Sequence, residues 1–321
     1  MLELLMPTPR LLLIAVFAFV LMGVAAVLLK LNGIQVTSVS DQVAEATQVP
    51  SPVATPYIPL TLVGAGDIAS CESEGDEKTA TLVESIPGTV FTLGDNVYQK
   101  GTAEEYANCY TPSWGRFKER TKPVPGNHEY ETKGAAGYFS YFGAAAGDPS
   151  KGYYSYDAGS WKVVVLNSNC SQVGGCGVLS PQYSWLKSEL TGKQCSVVMM
   201  HHPRFNSGIE HGSTLALQPV WELLYQEGVE LALAGHEHVY ERFAPLNIKG
   251  EKDAEKGVRA FTVGTGGKEV YKFGKPLPGS EVRNSSDGGV LKLVLSEKSY
   301  TWEFLPVLGA TFTDSGSGTC H

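Results

Sequence analysis

Six side chains able to hold a cation stand just past short apolar runs or turns of this 321-residue chain: Asp67, Asp95, Asn127, His201, His236 and His238. Asp67 follows Leu60-Thr61-Leu62-Val63 within Gly64-Ala65-Gly66-Asp67-Ile68-Ala69. Asp95 follows Phe91-Thr92-Leu93-Gly94, and a phenol, Tyr98, comes three positions later. Asn127 lies in Gly126-Asn127-His128-Glu129, His201 ends the run Ser196 to Met200, and Gly235-His236-Glu237-His238 ends the run Val229 to Ala234. Taken singly, each has an ordinary reading: Gly-Asp and Asn-His are turn sequences, and a lone histidine can be a satisfied core residue. Five such strand ends in one chain are not explained by turns alone. Carboxylates, a carboxamide and imidazoles without thiolates suit iron, manganese or zinc. A bridging carboxylate lets two cations stand ~3.5–4 Å apart, the arrangement used for in-line displacement at phosphorus.

Bringing those residues together requires strands that end at one edge, where open α/β sheets collect their ligands. Apolar runs at Leu60–Val63, Thr89–Leu93, Ser196–Met200 and Val229–Ala234 read as buried strands. Helical spacing predicts helices over Glu77–Ile86, Pro181–Leu190 and Leu215–Tyr225, and a short one within Tyr106–Arg120. Tyr153–Asn167, split by Ala158-Gly159, reads as a hairpin. Late strands are expected at Ala260–Val263, Val290–Leu295 and Tyr300–Phe304. Strands alternating with helices, then strands alone, predict an α/β layered fold. Gly264-Thr265-Gly266-Gly267 stands near the expected site but receives no role.

A net charge of -8 and the lack of a Lys/Arg stripe argue against a nucleic-acid partner. Leu11 to Leu29 is apolar between Arg10 and Lys30, long enough for a membrane helix of roughly 20 residues. Residues 1–31 therefore read as a signal anchor, or as a signal peptide cleaved near Gly23-Val24-Ala25. Residues 32–57, rich in Val, Ser, Thr, Ala and Pro, read as a linker, and 58–321 as one domain. Six cysteines after an export segment favour disulfides. Cys170 follows one expected parallel strand and Cys195 opens the next, so those two lie at opposite sheet ends and are disfavoured as partners. The expected pairs are Cys71–Cys109, Cys170–Cys176 and Cys195–Cys320. Asn169-Cys170-Ser171 and Asn284-Ser285-Ser286 match the N-glycosylation pattern.

The series G-D-I-A, G-D-N-V-Y, G-N-H-E, V-M-M-H and G-H-E-H resembles the metallophosphoesterases, or calcineurin-like phosphoesterases, over about Leu60 to Arg242. Tyr98, three residues after Asp95, resembles the purple acid phosphatase branch. The resemblance implies a fold of two packed mixed β-sheets flanked by helices. It implies a first metal held by Asp67, Tyr98 and His238, a bridging Asp95, and a second metal held by Asn127, His201 and His236. Many relatives have a histidine where this chain has Ala69; Tyr98 would replace it, and its phenolate favours Fe(III), with iron, zinc or manganese as the second ion. The β-sandwich domain that precedes the catalytic domain in plant purple acid phosphatases has no room between residue 31 and Leu60.

The implied activity is exported hydrolysis of phosphate monoesters by a metal-bound hydroxide. His128 would bind phosphate oxygens and stabilise charge, His211 would protonate the leaving alcohol, and His202 is the weaker rival for contact with substrate. Glu129 is expected either to support an imidazole or to be solvated. The rival readings are a phosphodiesterase or nucleotide hydrolase on the same site, and a non-catalytic, membrane-tethered binding module. Membrane contact would come through the N-terminal segment alone.

Overall fold

The computed structural model describes residues 57–192 and 195–321. The expected anchor or signal segment, 1–31, and the linker up to residue 56 lie outside the described residues. Among those described, no helix is long and apolar enough to cross a membrane.

Two mixed sheets form the framework. The six-stranded sheet runs Asp314–Thr319, Ser299–Pro306, Gly289–Leu295, Leu60–Ala65, Thr89–Thr92, Thr121–Lys122, with its last three strands parallel. The seven-stranded sheet runs Ser280–Asn284, Tyr240–Leu246, Val258–Val263, Leu231–Ala234, Cys195–Met199, Trp161–Val165, Tyr154–Ala158, with parallel pairing from Val258–Val263 through Trp161–Val165. A strand places alternate residues on opposite faces. Val163, Val165, Val197, Met199, Leu231 and Leu233 accordingly share one core with Leu62, Phe91, Leu293 and Phe304 of the first sheet. Val164, Val198 and Ala232 turn the other way, onto Leu186 and Leu190 of one helix and Trp221 and Leu224 of another. Fully buried strands of this kind are continuous apolar runs, which is why they were legible.

The helix Pro181–Leu190 has its expected bounds: Ser180 Oγ accepts the Tyr183 N–H and Pro181 opens the first turn. The first helix begins earlier than expected, at Gly75–Glu84, and its first residue lies against the Gly267 backbone, where a Cβ would come within 2.0 Å of the Gly267 oxygen. Within Tyr106–Arg120 the expected short helix is present around Trp114 and Phe117. Pro112 separates this 3-10 segment, Trp114–Arg120, from a wide turn at Tyr106–Tyr110. Leu215–Tyr225 is a 3-10 turn leading into the helix Gln218–Gln226.

Besides three two-residue strands, sequence reading missed three longer ones, and each of these hides behind polar residues. Tyr240–Leu246 carries Glu241 and Arg242 inside the fold; Arg242 Nε donates to Asp314 Oδ2 at 2.7 Å. Ser280–Asn284 supplies Ser280 Oγ to Glu241 at 2.7 Å. Asp314–Thr319 has no apolar side chain; its Gly316 and Gly318 lie beneath the Trp302 and Tyr300 rings.

The three disulfides are Cys71–Cys109, Cys170–Cys176 and Cys195–Cys320, with Cα separations of 5.0, 5.2 and 5.6 Å. The asparagines of both glycosylation-pattern matches, Asn169 and Asn284, are buried, and the Asn169 amide donates to Gly126 O at 3.2 Å.

Glu230 lies buried at the start of a core strand, its Oε2 accepting the Ser196 N–H at 2.6 Å. Burial pushes this carboxyl up to about 7 from 4.5, against the pull of the Ser196 hydrogen bond. A folded pKa above the unfolded one contributes stability below about pH 4.5 and loses it as pH rises through 7, a cost of about 3 kcal/mol. Glu230→Gln is expected to match the parent in melting temperature at pH 4 and to exceed it by several degrees at pH 8. Identical pH profiles of melting temperature would refute this.

Candidate metal centre

The parallel strands of both sheets run their C-terminal ends to one rim, and close backbone contacts let the loops beyond them meet. Gly94 has φ +83°, and a Cβ there would meet the His201 ring at 2.5 Å. A Cβ on Gly126 would collide with Asp95 Oδ1 at 2.1 Å. Three of the four non-glycine residues with positive φ among those described are Asp67 (60°), Asp95 (46°) and His236 (70°). Such conformations cost ~1–3 kcal/mol each and persist where surrounding structure imposes them, commonly at functional sites.

The seven candidate ligands come together in two groups that share Asp95. Tyr98 OH lies 2.9 Å from Asp67 Oδ1, 3.1 Å from His238 Nε2 and 3.3 Å from Asp95 Oδ2. His201 Nε2 lies 3.0 Å from Asn127 Oδ1, 3.1 Å from His236 Nδ1 and 3.3 Å from the same Asp95 Oδ2. One phenol proton can satisfy only one of the three acceptors around Tyr98. His201 Nδ1 faces Leu93 O at 2.8 Å and His238 Nδ1 faces Glu269 O at 2.8 Å, so one N–H of each ring is engaged there and each Nε2 turns inward, able to offer a lone pair to a cation once it carries no proton. Buried acceptors crowded in this way fit two cations, one in each group.

The electrostatics agree. Burial alone would raise Asp95, but the His201 and His128 imidazoles outweigh it and hold the carboxyl well below the usual carboxylate range. Burial opposes charge on His201, yet Asp95 drives it up to about 9, so a proton takes the place of positive charge among these acceptors. Burial, then Asp67 and Asp95, push the Tyr98 phenol far above its ordinary value, a direction that a nearby cation reverses.

Around the ligands, His128 Nδ1 faces Gln99 O at 2.5 Å and its Nε2 stands 3.9 Å from Asp95 Oδ2. His202 is held neutral: burial and then His201 push it down to about 3. Ser168 Oγ accepts the His202 backbone N–H at 2.9 Å and lies 2.8 Å from His202 Nδ1, which fixes the orientation of the ring. The exposed His211 ring stacks on His236 at 4.2 Å.

Two buried carboxylates from the motifs hold the loops. Glu129 supports no imidazole and is not solvated. It accepts the N–H groups of Asp95 (3.1 Å), Asn96 (2.8 Å) and Gly126 (2.6 Å) and the Tyr106 hydroxyl (3.2 Å). Glu237, between His236 and His238, accepts the N–H groups of Glu210, His211 and Gly212 at 3.1, 2.8 and 3.0 Å and so fixes the His211 loop. The stretch Gly264–Gly267, given no role from sequence, and Tyr271 just beyond it close the first group. A Cβ on Gly264 would meet Asp67 Oδ2 at 2.8 Å, and Tyr271 stacks on His238 at 3.9 Å. Nothing in the residues near Tyr271 signals this contact, which depends on a loop folding back.

Residues 60–240 match the model of the calcineurin-like phosphoesterase family. The chain belongs to that family. Among its relatives, this phosphoesterase chain is 28% identical to purple acid phosphatase 21 of Arabidopsis thaliana, over 77% of this chain and 60% of that protein. It is 29% identical to the Fe(3+)-Zn(2+) purple acid phosphatase 12 of the same plant, over 60% and 45% respectively. The phosphoesterase chain thus spans about half the length of the curated relatives it matches. Its fold is that of yellow lupin purple acid phosphatase PPD1 (TM-score 0.66, 18% identity, 83% of this chain and 55% of that one). It is also that of GAP50, the anchor in the inner membrane complex of Plasmodium (TM-score 0.62, 16% identity, 82% and 89%).

Proposed function

We propose that this chain is an exported dinuclear-metal phosphatase that hydrolyses phosphate monoesters to alcohol and inorganic phosphate, with residues 58–321 as the catalytic domain. The observation that carries this reading is Asp95 Oδ2, 3.3 Å from both Tyr98 OH and His201 Nε2 and so shared by two donor groups. Asp67, Tyr98 and His238 would hold Fe(III), and Asn127, His201 and His236 would hold iron, zinc or manganese. A relative named for Fe(3+) and Zn(2+) supports that pairing, and three disulfides support export. Bound there, the two ions would neutralise phosphate oxygens and lower the pKa of an attacking water.

The protein's own groups do the rest. His128, anchored through Nδ1 on Gln99 O, offers Nε2–H to phosphoryl oxygens in its imidazolium form. His202 stands beside His236, 4.3 Å away ring to ring, as a second imidazole that can contact the substrate. His211, at the exposed edge on a loop tied to Glu237, gives a proton to the leaving alkoxide.

His211→Ala is expected to slow alkyl phosphates by about a hundredfold or more while sparing p-nitrophenyl phosphate, whose leaving group needs no proton. The check is kcat plotted against leaving-group pKa; an equal loss on every ester removes the assignment. The function itself is tested by chelator-sensitive hydrolysis of a chromogenic monoester and the matching diester. Monoester turnover is the expected result. Diester turnover alone selects the phosphodiesterase reading, and metal binding without turnover selects the binding module.

A further inference from the structure

A cavity of about 430 Å³ opens from the second group of donors, with Asn127 and His202 at its inner end. Its walls present Ser171, Gln172 and Thr214, and its only carboxylate is Glu131, which is exposed. Among the described residues, no lysine or arginine lines it. The cation nearest in sequence to its His202–Thr214 wall, Arg204, is turned away: its guanidinium donates to Gln218 Oε1 at 2.7 and 2.5 Å and lies 4.3 Å over the Phe205 ring. The Lys151 ammonium is 3.6 Å from Asp148. The wall formed by residues 169–172 is preformed, because the Cys170–Cys176 disulfide closes it and the Asn169 amide ties it to Gly126 O.

We propose that this cavity receives the leaving alcohol of the substrate, and that it selects alcohols carrying no negative charge, cationic ones above all. The assignment rests on the phosphatase reading and deepens it. The metal ions would neutralise one phosphoryl group, but nothing along the cavity wall neutralises a second anion. Hydroxyl and amide groups suit a polyol, and Glu131 adds attraction for an ammonium and repulsion for a carboxylate or further phosphate. The size accommodates an alcohol as large as a hexose.

The test uses the metal-loaded full chain and three alkyl phosphates of matched reactivity: phosphocholine, glycerol 3-phosphate and 3-phosphoglycerate. Values of kcat/KM should fall in that order, with about a tenfold deficit for the anionic ester. In Glu131→Gln the ratio of phosphocholine to 3-phosphoglycerate should drop about three- to tenfold, and further in Glu131→Lys, without a change in melting temperature, since the side chain is exposed. Turnover of all three esters with no charge preference, or a ratio unmoved by both variants, overturns the assignment and leaves the phosphatase reading standing. Absence of turnover on every ester, p-nitrophenyl phosphate included, overturns both.

Discussion

Asp95→Asn is expected to keep the fold and to lose at least about a thousandfold in phosphatase turnover. The side chain is isosteric, and its Oδ1 can still accept the His128 N–H, now at 2.9 Å. What disappears is the negative charge between Tyr98 OH and His201 Nε2, the one ligand charge common to both groups. Metal content should fall from two ions per chain. A ligand that binds only the native state raises stability in proportion to RT ln(1 + [L]/Kd), so chelator should lower the melting temperature of the parent and hardly move that of the variant. A variant that holds two ions and keeps its turnover removes Asp95 from the bridging position.

Glu129→Ala should be the most destabilising single change near the site, by about 4 kcal/mol or more. The carboxylate is the common acceptor of four backbone N–H groups (Asp95, Asn96, Val97 and Gly126) and one tyrosine hydroxyl, all buried, and alanine strands every one of them. Burial, then Asp95, push its pKa up to about 7, so its charge is costly; the donors it satisfies outweigh that cost. Because these donors belong to the Asp95 loop and the turn before Asn127, metal affinity should fall together with stability. Urea denaturation with and without metal measures both. A loss under 1 kcal/mol would mean that water or another acceptor replaces the carboxylate.

The core strands and the candidate ligands were legible for one physical reason. A strand buried on both faces must be an apolar run, and a ligand placed at its C-terminal end must break that run with a polar residue. Leu60–Ala65 before Asp67 and Leu231–Ala234 before His236 show the pattern in full. Pro181–Leu190 was legible because its Ser-Pro start is a local signal. Tyr240–Leu246 and Asp314–Thr319 were not: the first buries Glu241 and Arg242 only because partners 34 and 72 residues away satisfy them. The role of Glu129 was misread for the same reason, since its hydrogen-bond partners include backbone groups more than 30 residues distant.

From residue order alone came the layered α/β class, the three disulfide pairs and the types of side chain that could hold two cations. The class and the ligand types depend on burial patterns and donor chemistry, which a chain carries locally, whereas the cysteine pairs join residues up to 125 apart and were only an expectation until the fold brought them together. Only the tertiary structure decided that Asp95 Oδ2 stands equally near both donor groups, that Glu237 grips the His211 loop and that the adjoining cavity lacks a cation. Distances between loops from different strands follow from how two twisted sheets meet, and no local stretch of residues encodes that meeting.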